Sequence, residues 1–223
     1  MIVTVHQPDF MPWLGFFDRW AKSDLFIILD DVQFLRRGWH HRDKIMTSHG
    51  VHWLTIPVLK KGKYEQLIKE VEIDNQQDWR KKHLATIEAA YKKAPNLDRY
   101  LSFLKEIYDK NHTCLIELNI DIIKFMAAEF GITTPIVFSS DYGVDLPSTK
   151  KLLMLVKSNN GTVYLTGTGA KDYLDESFFY DNGIAVEWQN FTHPVYQQLY
   201  CEFVPGLSGI DYLMMVSPPD LFQ

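Results

Sequence analysis

The opening segment constrains the fold more than any other part of the sequence. An apolar run, Ile2-Val3-Thr4-Val5, ends in the polar loop His6-Gln7-Pro8. Pro12 then stands where a helix can start without losing a needed N–H. Trp13, Leu14, Phe16, Phe17, Trp20 and Ala21 follow at helical spacing, and a second apolar run, Leu25 to Leu29, ends in Asp30-Asp31. Strand, polar loop, helix, strand is how a parallel sheet begins. Ligands of such sheets bind beyond the carboxyl ends of the strands, which is where His6, Gln7, Asp30 and Asp31 fall.

The strand–helix rhythm breaks and then resumes. Residues 52–57 (HWLTIP) predict a third strand and residues 67–73 (LIKEVEI) a fourth. Within 78–131, three segments carry an amphipathic 3.6-residue period, with Pro95 separating the first two and Gly131 closing the third. Tyr91, Tyr100, Phe103 and Tyr108 lie on that period and read as core. Beyond Gly131, residues 135–139 predict a strand, and Ser148 an N-cap for a helix of Lys150 to Lys157. Residues 162–175 read as strand, Gly-x-Gly loop and helix start, and 184–191 as a further strand. The tail from His193 is aromatic and irregular before a last apolar helix. The fold class expected is α/β, a parallel-sheet core with an inserted helical block. The whole of 1–223 is taken as one domain, its core drawn from 1–77 and 132–223 and its helical insertion from 78–131.

Composition narrows the function. A net charge of −5 over 223 residues argues against a general nucleic-acid binder. No apolar run approaches the ~20 residues of a membrane span, and the polar break at His6 is unlike a signal peptide. Cys114 and Cys201 lack a CxxC spacing, which points to a reducing compartment and no metal knuckle. A cytoplasmic protein acting on a small molecule is expected, with its oligomeric state open.

Against that acidic background, Arg36, Arg37, His40, His41, Arg42 and Lys44 form a basic cluster with Trp39 among them. Arginine forks match phosphate and carboxylate bidentately, and a tryptophan can stack on a base or sugar ring, so anion binding is the favoured reading over a solvated turn. His6, closing the first strand, is either a general acid–base or a histidine bonded to the backbone of its own turn. Of Asp30 and Asp31, adjacent residues of a strand face opposite ways, so one enters a crevice, to hold Mg²⁺ or a ribose hydroxyl, or caps the next turn. Gly167-Thr168-Gly169-Ala170-Lys171-Asp172 follows a strand. It is either an anion cradle with Lys171 at a helix start or a tight turn in which glycine supplies positive φ. His193 leads a second His-Pro element. A metal site would need His6, His40 and His41 to meet, and no ligand spacing supports one.

Taken in order, HQPDFMPWLGFF, the acidic strand end with QFLRRGWHHRDKI, YLTGTGAKDYLDE and FTHPVYQQLYCEFVPGLSGIDYLM resemble the WbqC-like family of bacterial proteins. The family pattern Arg-Asn-Arg reads His40-His41-Arg42 here, which puts the role of the two histidines in question. The resemblance implies a place in polysaccharide (O-antigen) assembly. It also implies acyl or aminoacyl transfer, for example of glycine, to a nucleotide-linked amino sugar. Its alternative is a non-catalytic nucleotide- or sugar-phosphate-binding protein of a glycan-assembly complex. The first strand–helix–strand unit is similar to the nucleotidyl-transferase and amide-ligase class, which implies ATP with Mg²⁺. That class carries an HxGH motif, and Pro12-Trp13 stands where its second histidine belongs. Under these readings His6, Asp31 and His193 are the catalytic candidates. Gln7, Trp13, Asp30, Arg36, Arg37, Trp39, His41, Arg42, Lys44, Gly167, Gly169, Lys171 and Asp172 are the substrate-binding ones, with no metal ligand among them.

Overall fold

A computed structural model describes residues 1–200, 202–217 and 221–222; Cys201 lies outside the described residues. In chain order the elements are β1 (Ile2–His6), α1 (Leu14–Ala21), β2 (Leu25–Ile28), β3 (Arg42–Thr47), β4 (Gly50–Thr55), α2 (Trp79–Tyr91), α3 (Leu97–Asp109) and α4 (Leu115–Glu129). They continue as β5 (Ile136–Phe138), α5 (Ser148–Ser158), β6 (Val163–Thr166), α6 (Glu176–Asp181), β7 (Ala185–Trp188) and α7 (Gly209–Met215). Contacts divide the chain into two compact units: residues 1–7, 15–31 and 132–192 form the first, and 8–14, 32–131 and 193–223 the second. The helical block thus shares its unit with residues 32–77 and the tail, a partition the sequence boundaries at 77 and 132 do not show.

The first unit is a five-stranded, wholly parallel sheet in the order β5-β2-β1-β6-β7. The α/β class with a parallel core read from the sequence is what the chain adopts. Parallel strands buried on both faces read as continuous apolar runs, and β2 is buried at every residue. On one face Val3, Val5, Leu25 and Ile27 pack with Leu152, Leu155 and Val156 of α5 and Phe179 of α6. On the other, Phe26 meets Phe16 and Trp20 of α1, with ring centroids 5.1 and 5.0 Å apart. The order of strands reverses between β1 and β6, which places the topological switch point at their carboxyl ends.

Two hydrogen-bonded aspartates follow β2. Asp30, 3% exposed, takes the Ser140 N–H at 3.0 Å and the Ser140 hydroxyl at 2.7 Å, with the Ser139 hydroxyl 3.0 Å away. Asp31 meets the same Ser139 hydroxyl and pairs with Lys151 of α5 at 2.8 Å. The expectation that the two carboxylates diverge is corrected: β2 ends at Ile28, so strand alternation no longer applies at 30 and 31.

In the second unit β3 and β4 form an antiparallel hairpin apart from the parallel sheet. Gly50, at φ +97°, closes the turn in a region L side chains rarely adopt. The expected strand at 67–73 is instead a 3₁₀ turn, Ile68–Glu70, flanked by single bridges from Leu67 to Gln33 and from Ile73 to Val58. The three helices of the block lie where the period placed them, with Tyr91, Tyr100 and Tyr108 buried. Asp211 of α7 is buried and fully engaged, accepting from Tyr91 at 2.7 Å, Tyr196 at 2.8 Å and Gln198 at 3.1 Å. Two local expectations are also corrected. Helix α5 begins at Ser148 itself, whose side chain makes no cap, because Pro147 takes the flanking position. The turn after β6 leads to a 3₁₀ segment, and the next helix starts only at Glu176, capped by Asp175.

If the Asp30 carboxylate joins β2 to the turn after β5, Asp30→Ala should lower stability by about 2 kcal/mol or more, the cost of orphaning buried partners of a charged acceptor. Urea denaturation reads this as a lower midpoint; an unchanged midpoint would reject the role.

Candidate functional site

The first unit gathers candidate residues at the carboxyl edge of its sheet. His6 ends β1, and its Nδ1 donates to the Gln7 carbonyl oxygen at 2.8 Å. A carbonyl oxygen only accepts, so Nδ1 carries the proton of that bond. Its edge meets Phe16 at 4.9 Å. Gly167 follows β6 at φ −87°, so positive φ is not the reason for glycine here. The Arg19 guanidinium is the reason: a Cβ at 167 would come within 2.1 Å of Arg19 Nη1. Gly169 faces open space, and neither glycine has positive φ. Lys171 is not at a helix start; its ammonium lies over the Trp188 ring at 5.6 Å. Asp172 is exposed. These corrections remove the helix-terminal cradle, and a buried arginine, missed in the sequence, takes its place at the switch point.

Magnesium does not fit Asp30 and Asp31. Both Asp30 oxygens accept from serines, and Asp31 is held by Lys151 and Ser139, so an ion would have to break the links that close β2. Among the described residues no three His, Cys, Asp or Glu side chains are grouped so as to hold a metal.

The second unit carries the basic cluster, and the hairpin explains how it becomes a surface. Alternation puts Asp43, Ile45 and Leu54 inward and buried, leaving Arg42 and Lys44 on the outer face beside Trp53, the register partner of Lys44. The Arg42 guanidinium covers Trp53 at 4.5 Å and donates to the Arg37 carbonyl at 2.7 Å. Trp39 and Trp53 sit 5.3 Å apart, 44% and 40% exposed, with Lys44 5.2 Å from the Trp39 ring. Arg36 lies over the Tyr64 ring at 4.3 Å and donates to the Lys60 carbonyl at 3.0 Å. Lys60 Nζ reaches His41 Nε2 at 3.4 Å. Arg36, Arg37, Arg42, Lys44 and Lys60 form no ion pair with a carboxylate among the described residues. Burial and then the charges of Arg36 and Arg42 hold the Lys60 ammonium below its ordinary range. Like charges packed without counterions favour an anion.

Sequence reasoning named six of these residues and missed Lys60, Trp53 and Tyr64. Recognising RDKIMT and GVHWLT as paired strands around Ser48-His49 would have set Trp53 opposite Lys44. Trp13 bridges to Ser208, and His193 donates to the Pro194 carbonyl at 3.1 Å and packs on Phe203 at 5.3 Å, both within the second unit. The catalytic candidates are divided: His6 and Asp31 belong to the first unit and His193 to the second.

Set beside known proteins, the chain matches the model of the WbqC-like protein family over residues 7–221. It belongs to that family. It is also similar to the uncharacterized protein Rv1507c of Mycobacterium tuberculosis, at 36% identity over 216 residues, 96% of this chain and 93% of that protein. No solved structure matches it. No helix among the described residues is long and apolar enough to cross a membrane.

Beneath the basic surface of this WbqC-like chain lie buried titratable groups. Burial pushes His40 and His83 down from 6.5 to about 4, and burial with the charges of Lys60 and Arg42 does the same to His41. Burial raises Asp43 from 3.8 to about 8, against the hydrogen bond from the Lys44 N–H, and the Asp9 charge adds to the rise. The lowered histidines stay neutral in the fold while the unfolded chain protonates, so stability should fall as pH drops from 6.5 toward 4. The raised Asp43 stabilises the fold fully below 3.8, and this is lost as pH rises through 8. Asp43→Asn keeps the acceptor for Lys44 and should remove the loss that builds up between pH 3.8 and about 8. Urea midpoints of both proteins across that range test this, and a difference between them that does not change with pH would refute it.

Proposed function

We propose that this protein binds a nucleotide-linked amino sugar in surface polysaccharide (O-antigen) biosynthesis and transfers an acyl or aminoacyl group to its amine. The observation that carries the reading is the basic surface around the hairpin, where Arg36, Arg42 and Lys60 cluster without carboxylate partners among the described residues and Arg42 covers Trp53 of the exposed Trp39–Trp53 pair. Guanidinium and ammonium groups supply charge-assisted hydrogen bonds to a diphosphate, and paired indoles supply a stacking surface for a base or sugar. In the transfer, the amine nitrogen bonds to the carbonyl carbon of an activated acyl donor, the bond from that carbon to its leaving group breaks with the electron pair going to the leaving group, and the amine gives up a proton to solvent.

A second reading, binding without catalysis, is favoured by a specific observation. Asp30, Asp31 and the Nδ1 of His6 all serve local structure. Under that reading the protein holds a nucleotide- or sugar-phosphate for another component of glycan assembly.

Calorimetric titration with UDP- and dTDP-amino sugars should give saturable binding that weakens with added salt. Arg42→Ala and Lys60→Ala should each cost about 1.5–3 kcal/mol of affinity if they contact the anion. Unchanged affinity in both would return the face to solvent. Adding ATP and an amino-acid pool, with mass spectrometry of the products, separates the two readings. An acylated amino sugar among the products supports transfer, whereas a pure binder forms no product at all.

A further inference from the structure

The hairpin of the second unit has one edge in use and one open. The Ile56 N–H donates to the His41 carbonyl at 2.8 Å, which sets the phase of the antiparallel ladder. Leu54 and His52 turn their backbone N–H and C=O toward β3, and Thr55, Trp53 and Val51 turn theirs away from it. Contacts outside the hairpin agree with that phase. The outward Lys44 carbonyl of β3 accepts from the Ser208 N–H at 2.9 Å, and the outward Thr55 carbonyl of β4 accepts from His83 Nε2 at 3.1 Å. Along the rest of the β4 edge, the backbone groups of Trp53 and Val51 have no hydrogen-bond partner among the described residues.

Natural proteins guard such an edge with proline, lysine, a bulge or a covering segment. β4 carries no proline and no lysine, and its register on β3 runs from Thr55 to Gly50 without a bulge. All its residues but Leu54 are exposed, among them Val51 and Trp53, neighbours on the outer face. Charge decides what fits beside them. Arg42 and Lys44 belong to β3, yet both lean across onto β4, the guanidinium 4.5 Å and the ammonium 5.8 Å from the Trp53 ring. Neither pairs with a carboxylate among the described residues. A strand added to β4 would lie about 4.8 Å beyond it, with its outer side chains next to Trp53 and these two cations. A second copy of the hairpin would bring its own Arg42 and Lys44 to the same face, and like charges oppose that pairing.

We propose that the open edge of β4 receives an extended acidic segment of a partner protein. The segment adds a third strand to the hairpin, with aspartates or glutamates at alternate positions beside Arg42 and Lys44. Backbone hydrogen bonds to Val51 and Trp53 supply the attachment, and the alternating carboxylates supply the selection. This goes beyond the function proposed above. Of the cations assigned there to the sugar nucleotide, the segment meets only Arg42.

A synthetic peptide alternating glutamate with valine tests this on the full chain, followed by NMR at the backbone amides and by calorimetry. It should bind saturably and shift the amide signals of Val51 and Trp53, while a peptide alternating lysine with valine should not bind. Two further forms of the acidic peptide, N-methylated at its glutamates or at its valines, keep every carboxylate and remove the backbone donors of one edge each. The form methylated on the edge that faces β4 should bind about tenfold more weakly than the other, the effect of losing two hydrogen bonds. Lys44→Gln should weaken the acidic peptide by about two- to fivefold, the value of one exposed ion pair. Absence of saturable binding, shifts that spare Val51 and Trp53, equal binding of the lysine peptide, or equal affinity of the two methylated forms would each overturn the proposal.

Discussion

The hydrogen bonds from Ser139 and Ser140 to Asp30 close an excursion of 109 residues in the chain. The sheet is left at the end of β2 and rejoined at β5, its hydrogen-bonded neighbour, and residues 32–131 between them belong to the second unit. Without a fixed return point, β5 would have to find its register on β2 across a loop whose closure grows costly with length. The clasp sits on the three-residue register Phe26–Ile28 against Ile136–Phe138 and, with Asp31 and Lys151, also orients the first turn of α5. Sheet and helix are held at a single cluster of polar groups.

The parallel core was legible because strands buried on both faces leave an unambiguous apolar trace, and because α1 announces itself by aromatics at helical spacing. The helices of the second unit were legible for the same reason. What the sequence concealed has a common cause, distance along the chain. Nothing near Asp31 marks Lys151 as its partner, and nothing near Gly167 marks Arg19. The glycine pattern there looked like a phosphate turn, yet its first glycine is a small residue because a guanidinium needs the room.

The basic segment illustrates a subtler failure. As a list of residues, Arg36 to Lys44 is a run of charges. As the edge and first strand of a hairpin it becomes a sorted surface, with Asp43 and His41 turned inward and Arg42 and Lys44 outward. Strand alternation did the sorting, and it could be seen only once RDKIMT was recognised as a strand paired with the one expected at 52–57. Lys60 and Tyr64 come from beyond that strand, so no local pattern includes them.

The Tyr91–Asp211 hydrogen bond joins positions 120 residues apart in sequence. At the ~5–20 residues per second of synthesis, helix α2 waits roughly 6–24 s for the carboxylate that completes its packing. Because the second unit is assembled from three separated stretches, the last of which begins at His193, it cannot finish folding while its own tail is still being made. The parallel sheet, complete once β7 is out, is ready first. This order of assembly is written into the connectivity, and it makes the interval before the tail arrives the period in which the half-built second unit most needs protection from aggregation.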